Sequence, residues 1–438
     1  MRGDTIFALA SAPGRAGVAV LRVSGPAAGS CIKSLTGRDI PEVRQAVLRS
    51  FRARDGRVID QGLVLWFRAP NSLTGEDVAE FQVHGGRAIV DALGTELGAL
   101  PGCRPAEPGE FTRRAVENGK YDLTQAEAIA DLVAAETEAQ MRQALRQKEG
   151  ALGVVYEGWR GELVQALAWA EATIDFSDEE LPGGVLADAR RISNSVRINI
   201  RAHLNDGRRG ELVREGLFVT VVGPPNAGKS SLVNALAGRE VAIVSEMAGT
   251  TRDVIEVRMD LGGYSVILAD TAGLRAAAES VEAEGVRRAL ARAESADLVL
   301  LLLDGSAVDP ASDIPKYMVN SSSLTVWNKA DLPWPCRREG LAISLKTGAG
   351  LEALIAAITA IARERLESAG DTPVLTRPRH RQALTEAVEA LDRAETARAP
   401  ELFAEDLRLA VRSIGRITGA VDVEELLDSI FRDFCIGK

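Results

Sequence analysis

The sequence predicts a chain of mixed α/β and α class. It has an N-terminal α+β domain, a helical domain split along the sequence, and an α/β unit inserted between the helical halves. Three changes of texture carry this prediction. Residues 1–118 alternate short strand-like runs with turns. Residues 124–176 are rich in Ala, Glu, Gln and Leu, and helical patterning returns after Pro378. Between them, residues 217–368 alternate strands with helices, the signature of a parallel sheet. Insertion is tolerated because domain termini commonly lie close together. The expected boundaries are 1–118 for the first domain, 119–211 with 369–438 for the helical one, and 212–368 for the inserted unit.

In the first domain, strands are expected at residues 17–25 (GVAVLRVSG), 62–67 and 78–84, with a helix over 89–100. In the helical region, Ile129, Leu132 and Val133 fall on one helical face, as do Trp159, Leu163 and Leu167. Thr124 with Glu127 reads as a capping box. Residues 178–184 break the run, helix resumes over 186–205, and the chain ends in helices at 404–417 and 423–434.

Composition narrows the function. A length of 438 residues suits two or three domains. Cys31, Cys103, Cys336 and Cys435 stand singly, with three histidines, which speaks against a zinc site or a disulfide framework and for reduced thiols. The N-terminal MRGDTIFALASA reads as a buried strand, because Asp4 interrupts any leader-like pattern. The longest strongly apolar run, 298–303, is far too short to span a bilayer, so no membrane association and a cytoplasmic location are expected. A net charge of −10 argues against broad nucleic-acid binding. Local RNA contact has two candidates, Arg208 with Arg209 and the run Arg377, Arg379, His380, Arg381; solvated loop charge is the competing reading of both.

The inserted unit carries the chemistry. The apolar run 217–222 leads into Gly223-Pro-Pro-Asn226-Ala227-Gly228-Lys229-Ser230, a complete G-x-x-x-x-G-K-[ST] loop, and then a helix beginning at Ser231. Strand, loop and helix in that order are the context the motif requires, and a Ras-like P-loop GTPase domain is expected here. Glycines let backbone N–H groups close around phosphate oxygens, and the positive end of the helix adds to this. Lys229 supplies charge to the β/γ-phosphates and Ser230 binds Mg²⁺. Asn328-Lys329-Ala330-Asp331 selects the base: the Asp331 carboxylate accepts from guanine N1–H and the 2-amino group together. Adenine would leave that carboxylate unpaired, a strong rejection device. Ser344-Leu345-Lys346 follows a short strand and fits the loop that closes over the base. The ligand is therefore GTP.

Asp270-Thr271-Ala272-Gly273 ends a strand, with Asp270 placed to hold Mg²⁺ through water and the Gly273 N–H to meet the γ-phosphate. Gly249-Thr250-Thr251-Arg252-Asp253 occupies the position of a switch loop, with Thr251 as the second Mg²⁺ ligand. Where many small GTPases place a water-orienting Gln, this chain has Leu274. Glu279, Glu282 and Glu284 lie just downstream, and residue chemistry alone does not separate them.

Four further stretches carry a resemblance over the whole chain: Ala12-Pro13-Gly14-Arg15-Ala16-Gly17 with Leu21-Arg22-Val23-Ser24-Gly25; Asn71-Ser72-Leu73-Thr74-Gly75-Glu76-Asp77 with His84-Gly85-Gly86; Pro108-Gly109-Glu110-Phe111-Thr112; and the terminal Phe434-Cys435-Ile436-Gly437-Lys438. With the nucleotide motifs, they resemble the tRNA modification GTPases of the MnmE (TrmE) family. The resemblance implies an N-terminal folate-binding and dimerising domain, a split helical domain and an inserted G domain. It implies a homodimer that works on tRNA with the FAD-dependent flavoprotein MnmG (GidA), forming a hetero-oligomer. Together they would install an aminomethyl or carboxymethylaminomethyl group at C5 of the wobble uridine U34. A tetrahydrofolate derivative, 5-formyl or 5,10-methylene, would supply the one-carbon unit. Arg22, Glu80, Lys120 and Lys438 would contact the folate. K⁺ would replace an arginine finger when two G domains pair, held by Asn226, Ser245, Met247 and Thr250. Ser245, Glu246, Met247, Ala248 and Gly249 would line the nucleotide together with Thr250 and Thr251. Glu282 would position the attacking water.

Two features stand apart. Residues 306–322 look shorter and less helical than that family's pattern. Cys435 is either a nucleophile toward tRNA or a small buried thiol, the commoner fate of a lone cysteine. A GTP-dependent switch in ribosome assembly is the alternative reading; it fits the G motifs alone, but no GXXG-bearing RNA module is present.

Overall fold

The computed structural model describes residues 3–175, 184–239, 241–243, 256–270, 296–308, 323–336, 338–367 and 373–421, with residues 427, 430, 431, 434 and 437. The chain forms two compact units, each assembled from separated segments.

The first unit comprises Met1–Ala130, Gln147–Ser193 and Ala390–Lys438. Its sheet contains β1 (Thr5–Leu9), β2 (Ala19–Ser24), β3 (Val47–Arg52), β4 (Val58–Phe67), β5 (Val78–Val83) and β6 (Cys103–Pro105). The spatial order is β3-β4-β5-β2-β1-β6. Only β1 and β6 run parallel; the other neighbours are antiparallel. Strand alternation sends Leu21, Val23, Val64 and Phe81 to one face, where they pack with Cys31, Ile32 and Leu35 of α1 (Ala28–Thr36) and Leu93 and Leu97 of α2 (Arg87–Gly98). The same alternation turns Arg22 and Glu80, paired across β2 and β5, to the opposite face. On that face Ile6 and Ala8 meet Phe111 of α3 (Glu110–Glu117).

A charge network anchors α3 to β1. Arg114 is 1 % exposed, and its guanidinium donates to Asp4 at 2.9 Å, to Glu110 at 3.0 Å and to Glu76 at 3.3 Å. Arg104 also donates to Glu110, at 2.6 Å. Burial raises the Glu110 pKa, but hydrogen bonds from Arg104, the Glu107 N–H and Arg114 outweigh it, leaving the carboxyl below its usual range.

The expected continuous helical run resolves into α4 (Leu123–Ala134), α5 (Glu138–Lys148) and α6 (Ala151–Asp175). The capping box is displaced by two residues from the expected Thr124 and Glu127. The helix starts at Leu123, so Asp122 is the N-cap. Its carboxylate accepts from the Gln125 N–H at 2.8 Å, while Gln125 Oε1 accepts from the Asp122 N–H at 3.0 Å. Thr124 and Glu127 are buried instead. The expected Ile129, Leu132, Val133 face is not the core face of α4: Leu123, Ala126 and Ala128 are buried and Val133 is exposed. α6 packs antiparallel on α12 (Pro400–Thr418), with Thr418 donating to Glu157 and Arg408 to Glu171. Leu152, Tyr156, Leu163, Ala166 and Ala170 meet Phe403, Leu407, Ala410, Ile414 and Ile417 along the seam, both at three-four spacing. Of the expected Trp159, Leu163, Leu167 stripe, only Leu163 is fully buried.

The second unit comprises Asp131–Arg146 and Asn194–Glu389. Its sheet contains β7 (Leu217–Val222), β8 (Glu256–Leu261), β9 (Tyr264–Asp270), β10 (Leu298–Asp304), β11 (Ser323–Asn328) and β12 (Leu341–Ala342), in the order β12-β11-β10-β7-β9-β8. All pairs are parallel except the β8–β9 hairpin. α9 (Lys229–Ala237) and α10 (Leu351–Leu366) bury Leu232, Leu236, Leu354 and Ile358 against one face, with Val219, Val221, Leu268 and Leu300. β10 is buried almost throughout, as its uninterrupted apolar run requires of a central strand.

Among the described residues there are three more helices: α7 (Val185–Leu204), α8 (Arg209–Glu215) and α11 (Pro378–Thr396). The two basic stretches singled out for RNA contact are largely consumed here. Arg208 pairs with Glu211 at 2.8 Å, Arg381 with Asp206 and Glu211 at 2.7 and 2.9 Å, and Arg377 with Asp131 at 2.7 Å. His380 is fully buried. Within the second unit these pairs tie Asp131 to Arg377, and α8 to Asp206 and Arg381.

The Arg114 network generates a stability prediction. Removing one partner of a buried ion pair leaves the others uncompensated, so Arg114→Met destabilises the protein by about 3–5 kcal/mol. Glu110 and Asp4 both have folded pKa values below their unfolded ones. Their stabilisation is complete above the unfolded values, near 4.5 and 3.8, and is lost as pH falls through the folded values. Urea unfolding followed by tryptophan fluorescence between pH 7 and pH 3 checks both: the acid-induced loss is smaller in Arg114→Met than in the unsubstituted chain.

Candidate functional site

The loops at the carboxyl ends of β7, β11 and β12 converge on one edge of the second sheet, beside the strand-order reversal at β7. Two glycines fix the first loop. A Cβ on Gly223 would lie 2.0 Å from the Leu302 carbonyl oxygen, so β7 leaves the sheet against β10 only through glycine. Gly228 has φ +104°, and a Cβ there would lie 2.6 Å from Asn328 Nδ2. Asn226 also sits in the left-handed region, at φ +61°, which asparagine tolerates better than most residues. α9 then begins at Lys229, with Ser230 and Ser231 in its first turn. The Lys229 ammonium donates to the carbonyls of Gly223 and Pro224, both at 2.8 Å. The loop thus keeps its cation at its own mouth.

Asn328 ties the base-reading motif to this loop. It is 4 % exposed. Its Nδ2 donates to the Ala227 carbonyl at 2.8 Å; its Oδ1 accepts from the Lys329 N–H at 2.7 Å and the Leu345 N–H at 3.2 Å. One side chain therefore holds three of the predicted motifs in register. The Ala330 N–H donates to the Ile343 carbonyl at 2.9 Å and locks β11 to β12 just beyond. Lys329, at φ +65°, places its ammonium 2.5 Å from Asp304. Burial raises the Asp304 pKa, but Lys329 and Ser306 outweigh it and hold the carboxyl low. Asp304 was legible only as the end of the apolar run of β10; its partner was not.

Asp331 is exposed, and the Ser344 hydroxyl donates to its Oδ1 at 2.7 Å. That bond, chiefly, pulls its pKa below the usual carboxylate value. The carboxylate is thus solvated and aimed by one neutral hydroxyl. Ser344 is buried and orients Asp331, while Leu345 reaches Asn328 through its backbone. Lys346 is exposed beside them.

In the first unit, Arg22 Nε lies 2.9 Å from Glu80 Oε1, with 19 and 18 % of the side chains exposed. Arg22 Nη1 donates to the Gly437 carbonyl at 3.3 Å, and its guanidinium stands 5.8 Å above the Phe111 ring. The chain terminus is thus brought to the β2–β5 pair. A Cβ on Gly437 would lie 2.1 Å from the Leu9 carbonyl oxygen, so only glycine fits this approach. Lys120 donates to the Pro70 carbonyl at 3.0 Å.

Asp270 is placed at the end of β9, but its side chain lies outside the described residues. So do Ser245, Glu246, Met247, Ala248, Gly249, Thr250 and Thr251, then Thr271, Ala272 and Gly273, and also Glu282, Cys435 and Lys438, together with most of the 306–322 segment.

The Asn328 hub is directly testable. Asn328→Ala removes three hydrogen bonds, each contributing about 1 kcal/mol, so a loss of about 3 kcal/mol is expected in denaturant unfolding. Guanine-nucleotide affinity falls with it, because the phosphate loop and the base-reading loop lose their common tether. A stable Asn328→Ala protein with unchanged nucleotide affinity contradicts the hub.

Comparison with known proteins agrees with this geometry. Residues 123–435 match the family model of the MnmE helical domain, and residues 5–120 that of the GTP-binding protein TrmE N-terminus. The chain is 55 % identical over 440 residues to the tRNA modification GTPase MnmE of Parvibaculum lavamentivorans, covering 99 % of this chain and 100 % of that protein. It is 55 % identical over 443 residues to the protein of the same name from Paramagnetospirillum magneticum, covering 99 and 100 %. With that of Rhodospirillum rubrum the identity is 53 % over 457 residues, covering all of both chains. The phosphate loop, the base-reading asparagine and aspartate, and full-length similarity to these relatives together place the chain in the MnmE family of tRNA modification GTPases.

Proposed function

We propose that this chain hydrolyses GTP and uses the cycle to drive modification of the wobble uridine of tRNA, at C5, with an FAD-dependent MnmG-type partner. The product is the carboxymethylaminomethyl or aminomethyl nucleoside. The observation that carries the nucleotide half is the Asn328 hub, which joins the phosphate loop to Asp331 and Ser344. The tRNA half rests on the relatives named above. The working form is a homodimer in the cytoplasm; among the described residues, no helix is long and apolar enough to cross a membrane. The work divides among residues 1–118, the helical segments 119–211 and 369–438, and the G domain at 212–368.

In the G domain, backbone N–H groups around Ala227 and Gly228 and the start of α9 receive phosphate oxygens, and Lys229 moves from the Gly223 and Pro224 carbonyls onto them. Mg²⁺ would be held by Ser230 and Thr251, with Asp270 acting through water, and would supply positive charge beside the phosphates. Asp331 takes the guanine N1–H and 2-amino pair, with Ser344 holding the carboxylate in place. Leu274 carries no group to orient water; of Glu279, Glu282 and Glu284 downstream, the family resemblance gives that role to Glu282.

K⁺ suits Asn226, which already occupies the left-handed turn of the phosphate loop, together with Ser245, Met247 and Thr250. A monovalent cation there supplies the positive charge that an arginine finger gives in other GTPases, and pairing of two G domains completes the site. In the first unit, a reduced folate suits the Arg22–Glu80 pair: it is partly exposed, offers a carboxylate for pterin N–H groups, and adjoins the terminus bearing Lys438. Lys120 is the further cation for its glutamate tail. A bound folate supplies the one-carbon unit. A ribosome-assembly role would need neither the folate nor the partner.

Steady-state hydrolysis at matched ionic strength tests the cation and the carboxylate together. The rate is expected to be higher in KCl than in NaCl by up to ~10³-fold, the scale of an arginine finger. Glu282→Ala is expected to lose most of that rate while leaving GTP affinity nearly intact. Equal rates in both salts contradict the cation. An unimpaired Glu282→Ala protein returns the water-positioning role to Glu279 or Glu284.

A further inference from the structure

Three clusters outside the nucleotide and folate sites bear on a partner. Arg208, Arg377 and Arg381 are neutralised by carboxylates within the second unit. Cys31 and Cys103 approach to 3.6 Å between sulfurs, but Cys31 is wholly buried. The edge of the N-terminal sheet differs from both.

Among the described residues β3 is an edge strand, flanked only by β4. From Arg44 to Arg57 the chain places five arginines against one carboxylate, Asp55, in a molecule whose net charge is −10. Among the described residues, three of them meet no carboxylate: Arg44 donates to the Asn71 carbonyl at 3.1 Å, Arg49 to the Leu48 carbonyl at 3.3 Å, and Arg52 to the Gly56 carbonyl at 3.1 Å. Arg44 and Arg52 are exposed. Arg49 Nε is buried with no hydrogen-bond partner among the described residues. Arg57 meets Asp55 only at 4.0 Å, with both side chains about two-thirds exposed, and Arg54 alone reaches a half-enclosed acid, Glu96, at 3.1 Å. Arg208, Arg377 and Arg381 are neutralised by carboxylates, whereas this edge is not, and an unneutralised edge has electrostatic work to do. Blunting an exposed strand edge requires charge of either sign, whereas this edge carries one sign only.

We infer that this β3 edge is a contact surface for the sugar-phosphate backbone of RNA, which under the function proposed above is the tRNA substrate. Guanidinium forks match phosphate oxygens two at a time, and their present partners, neutral carbonyls, are weaker acceptors than phosphate. Arg49 and Arg52 lie roughly 10 Å apart along the strand and on its opposite faces, with Arg44 ahead of it, so the arginines flank the edge on both sides and reach more than one phosphate. Contacts of this kind position the RNA without reading its sequence. The absence of interleaved aromatic residues between Arg44 and Arg57, Phe51 being buried in the core, fits backbone contact rather than stacking on unpaired bases.

The test is the binding of an unmodified tRNA transcript to the full chain, followed by fluorescence anisotropy across a salt series. The triple substitution Arg44→Gln, Arg49→Gln, Arg52→Gln is compared with the unsubstituted chain. Each lost phosphate contact lowers the slope of log affinity against log salt by ~0.7–0.9, so the triple variant should flatten it by about 2 and bind at least roughly tenfold more weakly at moderate salt. Its GTP hydrolysis in KCl should be unchanged, which also reports that it folds. Should Arg49→Gln disturb the strand, the double variant Arg44→Gln, Arg52→Gln alters exposed side chains alone and should flatten the slope by about 1.5. An unchanged slope and affinity overturn the inference. So does a variant that keeps tRNA binding but loses association with a partner protein, which makes the edge a protein interface. If the unsubstituted chain binds no tRNA, the tRNA reading falls and the edge with it; if binding persists with the same slope, the edge alone falls.

Discussion

The buried amide of Asn328 is the constraint on which the nucleotide site depends. Its Nδ2 holds the Ala227 carbonyl, and its Oδ1 holds the N–H groups of Lys329 and Leu345. Those bonds reach the loops after β7, β11 and β12; Ala227 lies 101 residues and Leu345 17 residues from Asn328 in sequence, and they meet because the sheet order brings their strands together. Gly228 must lack a side chain for the amide to approach, and Gly223 must lack one for the loop to start. A side chain with both a donor and an acceptor is needed at that point; an aspartate would offer only acceptors and leave the Ala227 carbonyl unpaired. Asparagine meets the geometry and the polarity together.

From that tether the roles of the neighbours follow. Asp331 is exposed, and the Ser344 hydroxyl aims its carboxylate. Lys229 rests on loop carbonyls, ready for a stronger acceptor. The first unit uses the opposite device. There the charges are satisfied internally, by Arg114 with Asp4, Glu76 and Glu110, so that the strands stay fixed. The more open pair, Arg22 with Glu80, stands where the chain terminus arrives.

Much of this was legible in the sequence because it is written in local patterns. The phosphate loop announces itself by glycine spacing, the central strand β10 by an unbroken apolar run, and the insertion of the α/β unit by the change in residue texture. What escaped detection depends on contacts across long sequence separations. Nothing in the string pairs Lys329 with Asp304, or sets the Asn328 amide against Ala227. The capping box slipped by two residues because both Asp122 with Gln125 and Thr124 with Glu127 satisfy the pattern, and only the true start at Leu123 chooses between them. In α4, the apolar face at Ile129, Leu132 and Val133 competes with the small buried residues Ala126 and Ala128, which packing prefers. The arginines at 208, 377 and 381 read as a basic patch because their carboxylate partners lie far away in sequence.

Base recognition through the tethered loop is the central claim, and an exchange of specificity tests it most directly. Xanthine carries an oxygen where guanine carries its 2-amino group, so an amide at position 331 pairs with xanthine as the carboxylate pairs with guanine. Titration of the unsubstituted chain and of Asp331→Asn with GTP, XTP and ATP should show GTP preferred by the former. Asp331→Asn should lose about tenfold or more in GTP affinity and gain XTP, since a charged hydrogen-bond pair is exchanged for a neutral one. Equal binding of ATP and GTP by the unsubstituted chain, or GTP affinity indifferent to Asp331→Asn, would contradict the assignment of the guanine site.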